Sequence, residues 1–328
     1  MRVSQATHAS FGQRIWRIDW RVCMLVVVAA AMVLRAPLLL IEPRVWAEEG
    51  VVYMAHAITV PWYQALITPH LGYYSLFNNL VFVMATRLFV LEHVPLFTTL
   101  AALCVQLMPF MIILWSRSPL WERPRTKVIG TLVLLFTPLS GEVWLNTVNS
   151  QFWLLLATFL ILLEDMKQAS ARRTWLYRGI LVLAGLTGGV SSFLGPLFAL
   201  RAWFHRAREH WVQFMILCVC AIVQAVVVVT TAGSHLGAGS RVQMLQIPML
   251  GMLLWLKTFL LPMSGVVATE QVTTWLHTLI DEQRHIFTVL GTLLLPALAV
   301  VLGLLTWGRH WKSKVLIAGS YLLVAVLS

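Results

Sequence analysis

The sequence predicts an all-α protein: a polytopic transmembrane helical bundle with about eight to ten membrane segments, some short or re-entrant. Three observations carry that expectation. The 328 residues are 59% hydrophobic and 11% charged, with a mean hydropathy of +0.80, whereas soluble domains run at roughly 45–50% apolar and about 25% charged. The apolar residues fall into long runs that recur along the whole chain. The formal charge of +11 sits in short clusters between those runs, as in loops facing anionic lipid. No basic patch is large enough to form a nucleic-acid groove. The whole chain, 1–328, reads as one integral-membrane domain, with a first span at 22–41, an outer loop at 42–74 and the remaining bundle at 75–328.

The first run, Val22 to Ile41, follows Arg14, Arg17 and Arg21. It has about the ~20 residues of a span, against ~7–15 for the apolar core of a leader peptide, and reads as a retained helix. Further apolar segments lie near 75–91, 96–115, 128–138, 151–163, 179–204, 212–231, 248–261, 286–306 and 315–328. Cys23, Cys104, Cys218 and Cys220 fall inside such segments and read as small buried hydrophobes.

Five basic clusters orient the chain: Arg14/Arg17/Arg21, Arg117/Arg123/Arg125/Lys127, Lys167/Arg172/Arg173/Arg178, Arg201/Arg206/Arg208 and Arg309/Lys312/Lys314. The positive-inside tendency puts them, and the N-terminus, in the cytoplasm. Segments 42–74, 139–150 and 232–285 then lie outside. They hold Glu42, Glu48, Glu49, Glu142, Glu270, Asp281 and Glu282, seven of the 13 acids.

This orientation allows 75–91 and 96–115 only one net crossing. The first, carrying Asn78, Asn79 and Arg87, is expected to be re-entrant or to lie along the interface; the alternative is two full spans with Arg117–Lys127 outside. Segment 179–204 has basic clusters at both ends and must enter and leave on one side. Gly185, Gly188, Gly189, Gly195 and Pro196 interrupt it, as two short helices meeting at a Gly/Ser turn would require. A tight helix contact through small residues is the alternative. Segment 315–328 is shorter than a span, which implies a short last helix or a truncated chain.

The chemistry-bearing residues concentrate outside. The segment Glu42-Pro43-Arg44-Val45-Trp46-Ala47-Glu48-Glu49-Gly50 opens a loop of about thirty residues, too long for a minimal connection. Residues 51–67 have the apolar spacing of a surface helix anchored by Trp62 and Tyr63, which would hold the acidic pair near the headgroups. A carboxylate there can serve as general base for a hydroxyl, or simply favour a helix dipole. A second constellation, Gly141-Glu142-Val143-Trp144-Leu145-Asn146-Thr147-Val148-Asn149-Ser150-Gln151, alternates amides with aromatics, as a sugar site requires. Glu142, Trp144, Asn146, Asn149 and Gln151 are its candidate binding residues; an interfacial turn with a Trp anchor is the alternative. Arg241, Lys257, His70 and His235 are candidates for a phosphate. Asp281, Glu282 and His285 have no diagnostic metal spacing, so no metal site is assigned and any divalent cation stays open. There is no P-loop, HExxH, GxSxG or dinucleotide fingerprint.

Together these parts resemble the GT-C-type integral-membrane glycosyltransferases. The nearest likeness is to an uncharacterised bacterial branch with Trp-Ala-Glu-Glu-Gly (46–50), Pro-His-Leu-Gly-Tyr (69–73), Gly-Glu-Val (141–143) and Asn-x-x-Asn-x-Gln (146–151). It covers most of residues 15–210. The resemblance implies a bacterial inner membrane and a polyprenyl-phosphate-linked sugar donor for cell-envelope glycan synthesis. The acceptor is a hydroxyl of a glycan, lipid or protein on the outer, periplasmic face. It implies Glu48 as the base, Glu49 as the supporting acid, and Arg44, His70 and Arg241 as contacts of the donor phosphate. Two departures from the family pattern are that no large soluble C-terminal domain is expected within these residues and that the sequence ends mid-span. The alternatives are a transporter or flippase of lipid-linked saccharides and a non-catalytic membrane subunit.

Overall fold

The computed structural model describes residues 19–46, 48–136, 144–166, 169–231, 271–272, 274–275, 301 and 311–327. Among the described residues the chain is mostly helical and has no strand.

Helix α1 (Trp20–Arg35) begins at Asp19, whose carboxylate accepts the Arg21 backbone N–H at 3.1 Å, a side-chain cap on an otherwise unpaired donor. It stops at Ala36 and resumes as α2 (Leu38–Ile41). The expected single run 22–41 is therefore two helices. Pro37 provides no N–H and disfavours helical geometry at Ala36.

The chain then forms a wide π-helical turn (Glu49–Met54), α3 (Ala55–Thr59) and α4 (Trp62–Ile67), the last two separated at Pro61. The expected surface helix over 51–67 is thus three short pieces. Next come α5 (Leu76–Leu88), α6 (Val94–Trp115), α7 (Pro124–Phe136), α8 (Ser150–Leu162), α9 (Ala171–Gly185), α10 (Gly195–His205), α11 (Arg208–Thr231) and α12 (Trp311–Leu327). Of the four cysteines only Cys220 is buried; Cys23 and Cys104 lie on outward faces of α1 and α6, which corrects the expectation of burial.

Hydrogen bonds define two ends. At the acidic end, Glu49 meets Thr147, the Leu76 N–H donates to Leu186 O at 2.8 Å, and the Gly188 N–H donates to Tyr74 O at 3.1 Å. At the basic end, Arg173 Nη2 donates to Trp115 O at 2.6 Å, and Lys127 Nζ donates to Leu114 O and Ser116 O at 2.9 and 2.8 Å. Phe110, Leu154, Ile161, Leu181, Phe198 and Leu217 fill the space between.

Helix α5 keeps to the acidic end. Asn79 Nδ2 donates to Leu66 O and Thr68 O at 3.0 and 2.8 Å, and Arg87 Nη2 donates to Ala57 O and Val60 O at 3.3 and 2.8 Å. The polar residues of this apolar segment therefore fasten it to the loop along its whole length. Helices α9 and α10 meet at Gly188 and Gly189, both with positive φ (76° and 74°), followed by a tight turn at Val190–Leu194. A Cβ on Gly188 would sit 1.8 Å from Gln151 Oε1, so space and backbone conformation both demand glycine.

Two helical stretches, Leu91–Trp115 and Arg208–Thr231, are long and apolar enough to cross a membrane. Met215, Val219, Ile222, Val226 and Val229 form an exposed apolar face on α11.

Candidate functional site

The acidic pair splits into two different groups. Glu49 is 1% exposed. One oxygen accepts the Trp46 N–H at 2.9 Å, the reach-back of a helix-capping glutamate. The other accepts both the Thr147 N–H at 2.5 Å and the Thr147 hydroxyl at 2.6 Å, across 98 residues. Glu49 thus binds the two polar constellations of the sequence to each other. Glu48, one residue earlier, is exposed. Its carboxylate meets no donor among the described residues.

The turn that follows is π-helical, a geometry rare in general and frequent at functional sites. Tyr53 projects from this turn and His56 from α3 directly after it. The His70 ring lies 4.8 Å from His56 and 5.1 Å from Tyr53, edge-on to both. His70 itself is fixed by a tight turn in which His70 and Tyr73 exchange both backbone hydrogen bonds at 3.1 Å. The turn places Leu71 and Gly72 at φ 56° and 84°. Leu145, in the other constellation, has φ 51°. A left-handed non-glycine residue costs on the order of 1–3 kcal/mol, and such strain clusters at functional sites.

Burial, reinforced by His56, lowers the His70 pKa from 6.5 to about 4. The imidazole is neutral at pH 7 and can offer a phosphate one N–H but no charge. Burial, reinforced by Tyr73, pushes the Tyr53 hydroxyl well up, so it stays protonated. The Tyr53 and Ser75 hydroxyls and the Asn78 amide neighbour one another. None reaches full hydrogen-bond geometry, and each is shut off from solvent.

The remaining predicted residues divide. Arg44 is exposed, its guanidinium 5.9 Å from the Trp46 ring. Asn146 Oδ1 accepts the Asn149 N–H at 2.8 Å, forming the turn into α8. Gln151 packs on Gly188. Trp144 faces the other way: its Nε1 donates to Met32 O at 3.1 Å and Arg35 stacks 4.6 Å above its ring, pinning α1 to the start of α8. Arg241 and Glu142 lie outside the described residues, as do Lys257, His235, Asp281, Glu282 and His285. Among the described residues no cluster of three His, Cys, Asp or Glu could hold a metal.

Sequence reasoning missed Tyr53, His56, Ser75 and the role of Thr147. It also missed Gln224 of α11, whose amide accepts the Tyr74 N–H at 3.0 Å and donates to Tyr74 O at 2.8 Å. Gln213 and Gln224 are the two glutamines in the apolar run 212–231 and were the available signal, since a polar group there needs a partner. No family model, curated protein or solved structure matches the chain.

Proposed function

We propose that the chain is a polytopic GT-C-type glycosyltransferase, moving a sugar from a polyprenyl-phosphate donor to an acceptor hydroxyl on the outer face of a bacterial inner membrane. One observation carries this reading: an exposed Glu48 beside a Glu49 that is fully engaged in joining the two polar segments. A free acid on a fixed base plate is what deprotonation of a positioned hydroxyl needs.

In this scheme the Glu48 carboxylate takes the acceptor proton as the acceptor oxygen bonds to the anomeric carbon. The anomeric carbon–oxygen bond breaks, and its electron pair leaves with the lipid phosphate. Arg44 supplies positive charge to that phosphate, as Arg241 would, and neutral His70 supplies an N–H. The polar groups of Tyr53, Ser75 and Asn78 are available to sugar hydroxyls if the loop 69–75 shifts.

The membrane part of the reading has its own support. The exposed apolar face of α11 calls for an apolar environment. Exposed Trp175, Trp203, Trp211 and Trp311 gather near the basic end, and exposed Trp62 and Tyr63 lie at the other, as in interfacial aromatic belts. The Gly188–Gly189 break favours a second reading, movement of a lipid-linked saccharide across the bilayer.

Proteoliposomes carrying a panel of polyprenyl-phosphate sugars separate the two. Sugar transfer with release of polyprenyl phosphate is expected. Movement of intact donor to the opposite leaflet without release would replace the transferase reading with the transporter one.

A further inference from the structure

We propose a second binding site at the basic end, for the phosphate of a lipid headgroup. A cavity of 460 Å³ opens there between α8, α10 and α12, a volume in the range of ligand pockets. Its cations are Arg201 and Lys312, and His205 and His210 face the same space. Its acids are Glu164 and Asp165.

Arg201 is 3% exposed. Its Nη1 donates to Ile161 O at 2.8 Å, and its other guanidinium nitrogens have no acceptor among the described residues. A buried cation with donors to spare, lining a cavity, is a built anion site.

The acids do not cancel it. Glu164 is already engaged: it accepts from the Ser116 hydroxyl and from Tyr177 Oη at 3.3 Å, and lies 3.7 Å from Arg173 Nη1. Both carboxylates bear on Arg201; with Arg173 set against Glu164, Arg201 and Lys312 face Asp165, an excess of one positive charge with both histidines neutral. The guanidinium fork matches two phosphate oxygens, and the Lys312 ammonium adds a point charge.

The apolar part of the lining points to a lipid. Pro119, Leu120, Leu162, Leu163, Leu316 and Trp311 form the apolar part of the wall, with Ser118 and Ser313 completing it. Exposed Trp203 and Trp211 flank this end of α10 and α11, the depth at which headgroups lie. The site stands independently of sugar transfer at Glu48, at the other end of the helices.

The test uses the full chain in nanodiscs of phosphatidylcholine with and without phosphatidic acid, with bound lipid counted by native mass spectrometry after gentle release. Inorganic phosphate is titrated separately, with the thermal midpoint as readout. The wild-type protein is expected to retain phosphatidic acid preferentially, K312Q to retain it about tenfold more weakly and K312R to recover. R201K, which keeps the charge and loses the fork, is expected to fall between. Stabilisation by free phosphate without lipid retention would keep the phosphate site and make its source soluble. Equal retention by the wild type and K312Q, or no preference over phosphatidylcholine and no response to phosphate, would overturn the proposal.

Discussion

Glu49 and Glu164 are each 1% exposed, one at each end of the helices, and they are held in opposite ways. Glu164 is matched by a cation, Arg173, and by the hydroxyls of Ser116 and Tyr177. Among the described residues Glu49 is held only by neutral donors, two backbone N–H groups and the Thr147 hydroxyl. The basic end is thus an ion-pair brace between α8 and α9. The acidic end is a directional joint, in which a carboxylate aligns two loops without a cation. Glu48, exposed beside Glu49, is the group this joint leaves free.

Four outcomes test the contrast. Removing a partner from a buried ion pair carries the largest effect: Glu164→Leu takes the counter-ion from Arg173 and the acceptor from Tyr177 Oη and should destabilise by about 3 kcal/mol, read by denaturant unfolding in micelles. Glu49→Gln comes next, at about 2 kcal/mol, because its NH2 group must face either Trp46 or Thr147, both of which donate. A cost for Glu49→Gln above that for Glu164→Leu would break the contrast. Thr147→Val removes one hydroxyl from the same joint and should cost about 1 kcal/mol. Glu48→Gln should move stability by less than about 0.5 kcal/mol, as at an ordinary surface position.

His70 adds a pH dependence confined to the acidic end. Its pKa falls from 6.5 to about 4 in the folded state, so between those values the unfolded chain binds the extra proton. Stability is fully present above pH 6.5 and declines as pH falls toward 4. A thermal-unfolding series over that window should be flatter in His70→Asn. An unchanged slope would remove His70 as its source.

Much of the helical order was legible in the apolar runs. The segments 96–115, 151–163 and 212–231 correspond closely to α6, α8 and α11. The glycines of 185–195 announced the break between α9 and α10, because positive φ there excludes other residues. The break at Pro37 is legible as well, since proline removes a helical donor, whereas the length of the run alone predicts a single span. The site was legible only in part. Two polar constellations stood out by composition, but their meeting rests on a hydrogen bond across 98 residues, which no local pattern encodes. Trp144 read as a sugar platform, yet its indole N–H is bound to Met32; a tryptophan's neighbours, not its flanking amides, decide what its face meets. Tyr53 gave no signal, because its partners come from the separate turn at 70–75 and from α5.

The central proposal is that the two adjacent acids divide the work, with Glu48 for proton transfer and Glu49 for alignment. The most direct measurement is sugar release from a polyprenyl-phosphate donor by Glu48→Gln, recorded with its thermal midpoint. The account predicts an unchanged midpoint and a rate lower by about 10²–10⁴. Wild-type release by that variant would contradict it.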